Sequence, residues 1–533
     1  MNDDITDPTN LHIFTLLLPS PSSLHRSLTH LPRGVTTSLI RLKKHLKTTL
    51  TIGLSILISW SCFTQTCINT RYVDSLFATE VLYNIDYQSA RPYGSLINIP
   101  YQLDIYRPLS DTLISRPLML FQFGGGYLIG DKLNPPAPEF CTYWAERGYV
   151  CASINYRLGF NTLVTESAER AVYRAIQDLQ AALRFLVDEH HTYGIDTSHI
   201  IVSGNSAGAI SSMHNAFMDT DQIPASAAGF GFGLDANDLG GPYTSGNTNY
   251  GNNEVLAHGY LACWGGMLDT NFVGDRGDDF VPIILFHGVE DDAVSYYSDH
   301  PFSFPAFPLL HGSNPLKIRM DNMGMTTSLI PFEGAGHEPE LLNPAYLDTI
   351  LLESMPFIYN EVLRPKLTSV NGNTAPFLNS AATYTVITDD SLSGLCVSLT
   401  NGTILNQTTN SVTIEWTTPG HDTLVITGFN HILAFDTIQL PLEVNSISAV
   451  NAVFAPQKFR IYPNPSMGNI YIENKDESLL YIDIITVEGK LLTSISTCNQ
   501  LISIDLKEFS SSLIIVHCRN KVHNSSQLIR FGL

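Results

Sequence analysis

Basic residues are scarce in this chain. Lys and Arg total 29 against 50 Asp and Glu, a formal net charge of −21 over 533 residues. Nucleic-acid binding needs a basic face, so that class is excluded. Charged residues of both signs reach only 15%, while apolar residues make up 44%, the balance of packed globular domains rather than of disorder. Cysteine is sparse too. Eight in such a length cannot form a disulfide scaffold, and no two stand as C-x-x-C or at zinc-ligand spacing to histidine. Two pairs, Cys141/Cys151 and Cys498/Cys518, are open to bridging in an exported chain. Long apolar runs are missing: Thr49–Cys62 is mostly apolar but short of the roughly 20 residues of a spanning helix.

That short run follows the basic stretch RLKKHLK (Arg41–Lys47), and small residues lie just beyond it. Basic flank, short apolar core and small residues read as a secretory signal over 49–65, with a short membrane anchor as the alternative. Residues 1–48 precede it as an extension, for which a start placed too early is one reading.

From 66 to 365 short apolar runs alternate with helical periodicity. LMLFQF (Leu118–Phe123), VCASINY (Val150–Tyr156), HIIVSG (His199–Gly204) and PIILFHG (Pro282–Gly288) suit strands buried on both faces of a parallel sheet. Between the second and third, Glu166–His190 repeats its apolar residues every three or four positions, which predicts one long amphipathic helix. The implied architecture is an α/β sandwich. No Lys or Arg occurs between Lys366 and Lys458, and helical periodicity stops there. NSVTIEW (Asn410–Trp416) and DTLVITGF (Asp422–Phe429) alternate apolar and polar around TPGH, predicting a hairpin in a β-sandwich over 366–449. Strand-rich patterning resumes over 454–533.

The chemistry gathers in the first of these regions. Gly204-Asn205-Ser206-Ala207-Gly208 is a G-x-S-x-G placed where an apolar strand meets a helix-compatible segment, the setting of a nucleophile elbow. Serine needs a base, and in this arrangement an acid and then a histidine follow it in the chain. ILFHGVEDDAVSY supplies Asp291 beyond a buried strand, with Glu290 and Asp292 as neighbouring alternatives; FEGAGHEP supplies His337. The glycines of FQFGGGYLIG (Phe121–Gly130) also suggest a dinucleotide loop. That reading requires an acidic residue ending the next strand, where Asn155 stands instead. The alternative use of such glycines is to bare N–H groups for an oxyanion, together with the N–H of Ala207. Tyr127 and Trp264 are candidate pocket residues, each equally readable as core. GDRGDD (Gly274–Asp279) reads as a solvated turn in preference to a cation site or an adhesion tripeptide. GGPYTSGNTNYGNN (Gly240–Asn253) reads as a surface loop.

The segments LDIYRP, FGGGYLIG, ERGYVCASINYRL, AIQDLQAALRFL, YGIDTSHIIVSGNSAGA and HGVEDDAVSY together resemble an α/β-hydrolase of the carboxylesterase and lipase type, in that family's order from Leu103 to His337. The resemblance implies cleavage of carboxylic esters through an acyl-serine, with no cofactor and no metal. It puts Gly125 and Gly126 in the oxyanion hole, with Phe123 where the family carries His or Tyr. It also singles out Asp291, through His287-Gly288-x-x-Asp291-x-x-Val294, and makes His287 structural. NGTILNQTTNSVTIEWTTPGHDTLVITGFN resembles PKD-like or immunoglobulin-like modules of secreted bacterial enzymes. FRIYPNPSMGNIYIE with the later IDIITVEGKLL resembles the C-terminal sorting domain of type IX secretion, although the chain lacks that family's Lys-rich last strand. These resemblances imply a secreted or surface-attached bacterial protein whose partners are a small-molecule or carbohydrate-linked ester and the secretion machinery. The alternatives are a serine peptidase of prolyl oligopeptidase type and a non-catalytic adhesion protein on a hydrolase fold. Only 102 residues precede Leu103, too few for the peptidases' propeller; the adhesion proteins usually lack a triad member, and none is missing here.

Overall fold

A run with no polar face has to be covered on both sides, and this requirement shapes the central sheet. The computed structural model describes residues 70–446, apart from 230–234, 245–249 and 275–279, together with most of 459–530. The signal and extension readings over 1–65 and nearly all of GDRGDD lie outside the described residues, as does the middle of the 240–253 loop. The chain divides into two compact units, Met1–Val444 and Asn445–Leu533.

The first unit is built on eight strands: β1 (Thr79–Ala90), β2 (Ile99–Pro108), β3 (Arg116–Gln122), β4 (Val150–Ile154), β5 (Ile195–Asn205), β6 (Gly259–Cys263), β7 (Ile283–Gly288) and β8 (Thr327–Phe332). Their order is β1-β2-β4-β3-β5-β6-β7-β8. β1, β2 and β4 pair antiparallel; from β4 across to β8 every pairing is parallel. Every residue of β3, β4, β6 and β7 is buried. Helices α1 (Ala137–Glu146), α2 (Thr165–Asp188), α3 (Ala207–Phe217), α4 (Ser313–Asn322) and α5 (Ala345–Ile358) cover the sheet, which makes this the α/β-hydrolase arrangement.

Helix α2 departs from its amphipathic reading. Its polar stripe is covered as completely as its apolar one: Arg170, Arg174, Gln177 and Asp178 are all at most 2% exposed. Partners from distant loops account for this. Arg157 pairs with Asp178, and Arg170 and Arg174 share Asp235.

Two antiparallel sheets follow within the same unit, one of four strands and one of three. They close over Tyr384, Val412, Ile414, Trp416, Leu424 and Ile426. The expected hairpin does not form. Ser411–Trp416 pairs with Ala381–Ile387 and Gly402–Gln407, whereas Gly420–Phe429 pairs with Gly394–Ser398 and Phe435–Val444. The TPGH turn carries the chain from one sheet to the other, so each strand meets its ladder partners elsewhere.

This sandwich is locked to the hydrolase layer by the loop after Phe429. Ile432 and Ala434 are fully buried in the same core as Tyr72 and Tyr149. The Tyr72 hydroxyl donates to the Ile432 carbonyl at 2.7 Å, Asn430 donates to the Leu363 carbonyl at 2.7 Å, and Arg364 meets Asp436 at 2.9 Å.

In the second unit a three-stranded and a four-stranded sheet enclose Ile470, Ile472, Ile482, Ile484, Ile514 and Val516. Leu480–Thr486 and Leu491–Thr497 pair antiparallel. Neither suggested disulfide is formed: Cys141, Cys151 and Cys518 are free and buried, and Cys498 is free and exposed. Burial, reinforced by the neighbouring Cys141 thiol, drives the Cys151 thiol well above its ordinary value. Cys396 is disulfide-bonded.

Candidate active site

Strand β5 ends at Asn205 and α3 begins at Ala207, so Ser206 alone makes the turn, with φ 50° and ψ −120°. A non-glycine residue holds such a conformation only where its surroundings enforce it. Here Ser206 donates its N–H to the Cys263 carbonyl and accepts from the Ile210 N–H, each at 2.9 Å. The turn also presses against β3. A Cβ on Gly208 would lie 1.9 Å from the Gln122 carbonyl oxygen, so only glycine fits two residues after the serine.

The Ser206 hydroxyl lies 2.8 Å from His337 Nε2, and His337 Nδ1 lies 2.7 Å from Asp291 Oδ2. His337 arrives on the loop after β8, and Asp291 on the loop after β7. Asp291 is held from several sides: its Oδ1 accepts the N–H groups of Ala293 and Val294 at 2.9 and 2.8 Å. Burial pushes the Asp291 carboxyl up, but hydrogen bonds from His287 and His337 outweigh it and bring the group to about 2. The carboxylate is therefore ionised at neutral pH and faces His337 Nδ1, an arrangement that can hold a proton on Nδ1 and let Nε2 accept from a hydroxyl. Glu290 and Asp292 point into solvent. His287 is fully buried, its Nδ1 at 2.8 Å from Ser313 Oγ and its Nε2 at 2.8 Å from the Val294 carbonyl and 3.3 Å from Asp291 Oδ2. It positions the acid.

The glycine loop lies over the serine. Gly125 has φ 99°, and a Cβ there would sit 2.1 Å from the Ile129 carbonyl oxygen. The N–H groups of Gly125, Gly126 and Ala207 have no hydrogen-bond partner among the described residues, and all three residues line the cavity above Ser206. Tyr127 also lines it, but its hydroxyl is committed, donating to the Ala207 carbonyl at 2.7 Å and lying 3.0 Å from Ser211 Oγ. It ties the glycine loop to the first turn of α3. Phe123 packs its ring 4.5 Å from that of Tyr156, whose hydroxyl donates to the Phe123 carbonyl. Asn155, the residue that argues against a dinucleotide, accepts the Lys132 N–H and so braces the far end of the same loop.

The cavity measures about 440 Å³ and is walled by Leu128, Ile129, Phe160, Val172, Leu268 and Phe307 among others. Trp264 is not part of its lining: it is 1% exposed, within the core beneath the serine turn, and the pocket role suggested for it is corrected to a core role. Two polar residues of the cavity escape sequence reasoning. His214, two turns along α3, is fixed by the Ile210 carbonyl and the Leu268 N–H, and burial lowers it to about 4, so it is a neutral imidazole. Glu338 has φ 47° and accepts from Asn205 Nδ2 at 2.9 Å; burial raises its carboxyl. Its position directly after His337 was the available signal. Hydroxyl, imidazole, ionised acid and unpaired N–H donors at one apolar cavity can together attack a carbonyl and bind the oxyanion that forms.

Residues 103–231 match the BD-FAE family, and residues 460–529 match the secretion system C-terminal sorting domain. Gut esterase 1 of Caenorhabditis briggsae is 33% identical over 96 residues, which is 18% of this chain and 17% of that protein. Lipase 2 of Moraxella sp. (strain TA144) is 31% identical over 118 residues, 20% of this chain and 25% of that protein. The chain thus spans at most a quarter of the length of these two relatives. Thermogutta terrifontis esterase 2 phosphorylated by paraoxon is 20% identical, covers 54% of this chain and 96% of its own, and has a TM-score of 0.37. The chain carries an esterase-like α/β-hydrolase domain of the BD-FAE kind and a C-terminal secretion-system sorting domain.

Proposed function

We propose that the protein is an exported serine esterase. Ser206 Oγ attacks the ester carbonyl while His337 Nε2 takes its proton. Asp291 holds the imidazole and stabilises the imidazolium. The oxyanion receives the N–H groups of Gly125, Gly126 and Ala207, each worth about 3–4 kcal/mol to the transition state. His337 then protonates the leaving alcohol, and water repeats the sequence to free the acid. The substrate is a small-molecule or carbohydrate-linked ester with an apolar portion that fills the cavity. The C-terminal unit acts as a type IX export address and delivers the enzyme to the cell surface or the medium.

The observation that carries this reading is the unbroken Ser206–His337–Asp291 hydrogen-bond chain at the head of an apolar cavity. The esterase and lipase names of the relatives agree with it. The test is hydrolysis of short-chain p-nitrophenyl esters by the wild type and by Ser206→Ala. The expected result is a loss of roughly 10⁴-fold or more in the variant. Equal rates in the two would overturn it, and cleavage of peptides without esters would point to a serine peptidase.

A further inference from the structure

At the opposite end of β5 from Ser206 lies a second histidine–aspartate cluster, which the proposed reaction does not use. Asp196 is 5% exposed and has His199 and His431 beside it. Its Oδ2 is 2.5 Å from His199 Nδ1 and 3.1 Å from His431 Nε2. The three atoms all fall within 4.8 Å of one another. Asp196 and His199 belong to the hydrolase sheet. His431 comes from the sandwich, on the loop whose neighbours Ile432 and Ala434 are buried in the hydrolase core. The Tyr72–Ile432 hydrogen bond fixes that loop, so His431 is delivered to Asp196 by the fold itself.

We propose that Asp196, His199 and His431 form a divalent-cation site, suited to zinc, that clamps the sandwich to the hydrolase layer. The donor set is two imidazole nitrogens and one carboxylate oxygen, which favours zinc and its first-row neighbours over calcium or magnesium. Ligand bonds of about 2.0–2.2 Å in a tetrahedron set ligand atoms roughly 3.4 Å apart, within the spread found here. The other Asp196 oxygen accepts the Ser198 N–H at 3.1 Å, which orients the carboxylate. The remaining groups nearby are compatible. His258, its ring 6.5 Å from that of His199, already accepts the Ile200 N–H through Nδ1. The His431 side chain is 48% exposed, which gives an ion a route in and a water its fourth position. On binding, each ring turns the nitrogen facing Asp196 from donor to ligand and keeps its proton on the other nitrogen. A ring that is protonated beforehand releases one proton.

The test uses the full chain, stripped with EDTA and then given zinc chloride. One zinc per chain should survive gel filtration, and the melting temperature should rise with zinc concentration. His431→Gln keeps an N–H for Asp196 but removes the imidazole, at a half-exposed position where folding is undisturbed. It and His199→Ala should weaken zinc binding at least about tenfold and abolish the thermal shift while ester hydrolysis continues. A wild type that retains no zinc would overturn the proposal. So would a His431→Gln variant that binds zinc as tightly as the wild type, which would reduce the cluster to a hydrogen-bonded clamp.

Discussion

The molecule holds two histidine–aspartate pairs close to the two ends of one strand. Near the C-terminal end of β5, His337 meets Asp291 at 2.7 Å; near its start, His199 meets Asp196 at 2.5 Å. The residue types and contact lengths are nearly the same. What differs is the third group. The first pair faces a serine hydroxyl and an apolar cavity, an arrangement for moving a proton. The second faces another histidine from a different layer, partly open to water, an arrangement for holding a cation. A pair of this kind carries no function of its own until its neighbour is known.

Substitutions that separate the two pairs follow from this, beginning with the largest effect. Ser206→Ala should cut ester hydrolysis by roughly 10⁴-fold or more and leave zinc retention unchanged. Asp291→Asn should cost about 10³–10⁴-fold in kcat through the wrong imidazole tautomer, measured with the same esters. Gly125→Ala meets the Ile129 carbonyl and an unfavourable φ of 99°, so the loop must shift and the N–H groups lose their aim. A loss of roughly 10²–10³-fold in kcat with an unchanged far-ultraviolet spectrum is expected.

The next effect is on stability. Neither oxygen of the buried Glu340 carboxylate has a hydrogen-bond partner from another residue, and burial lifts the group to about 8. The native state then keeps a proton that the unfolded chain has lost above about 4.5, so stability falls as pH rises from 4.5 to 8. Glu340→Gln should raise the melting temperature at pH 8 and change it little at pH 4.5. Asp291 behaves oppositely. Its folded carboxyl lies at about 2, so the stability it adds is present above about 4 and is lost as pH falls towards 2. His431→Gln has the smallest effect. In metal-free buffer it should cost about 1 kcal/mol at most, the net worth of one hydrogen bond, while removing the zinc response.

The parts of this account visible in the sequence are those written locally. Ser206, Asp291 and His337 each follow a short apolar run and sit among glycines or turn residues, and the geometry brings all three together. The strands of the central sheet are visible for the same reason, because burial on both faces leaves an apolar signature. What stayed hidden depends on partners far along the chain. The polar stripe of α2 reads as a water-facing surface because Asp235 and Arg157, which cover it, lie outside the helix. The strands either side of TPGH read as a hairpin because alternation reports a half-buried strand, not which strand it pairs with. Trp264 and Tyr127 look alike as aromatic candidates, yet one is core and the other binds the glycine loop to α3. His431 carries no local signal at all.

The central claim is that Ser206 is the acylated nucleophile, and the most direct measurement is covalent trapping. The full-length protein, incubated with a fluorophosphonate and digested, should yield one modified peptide by tandem mass spectrometry. The adduct should lie on Ser206 and disappear in His337→Ala. Continued ester hydrolysis with Ser206 unmodified, or an adduct on another residue that tracks the loss of activity, would contradict the account.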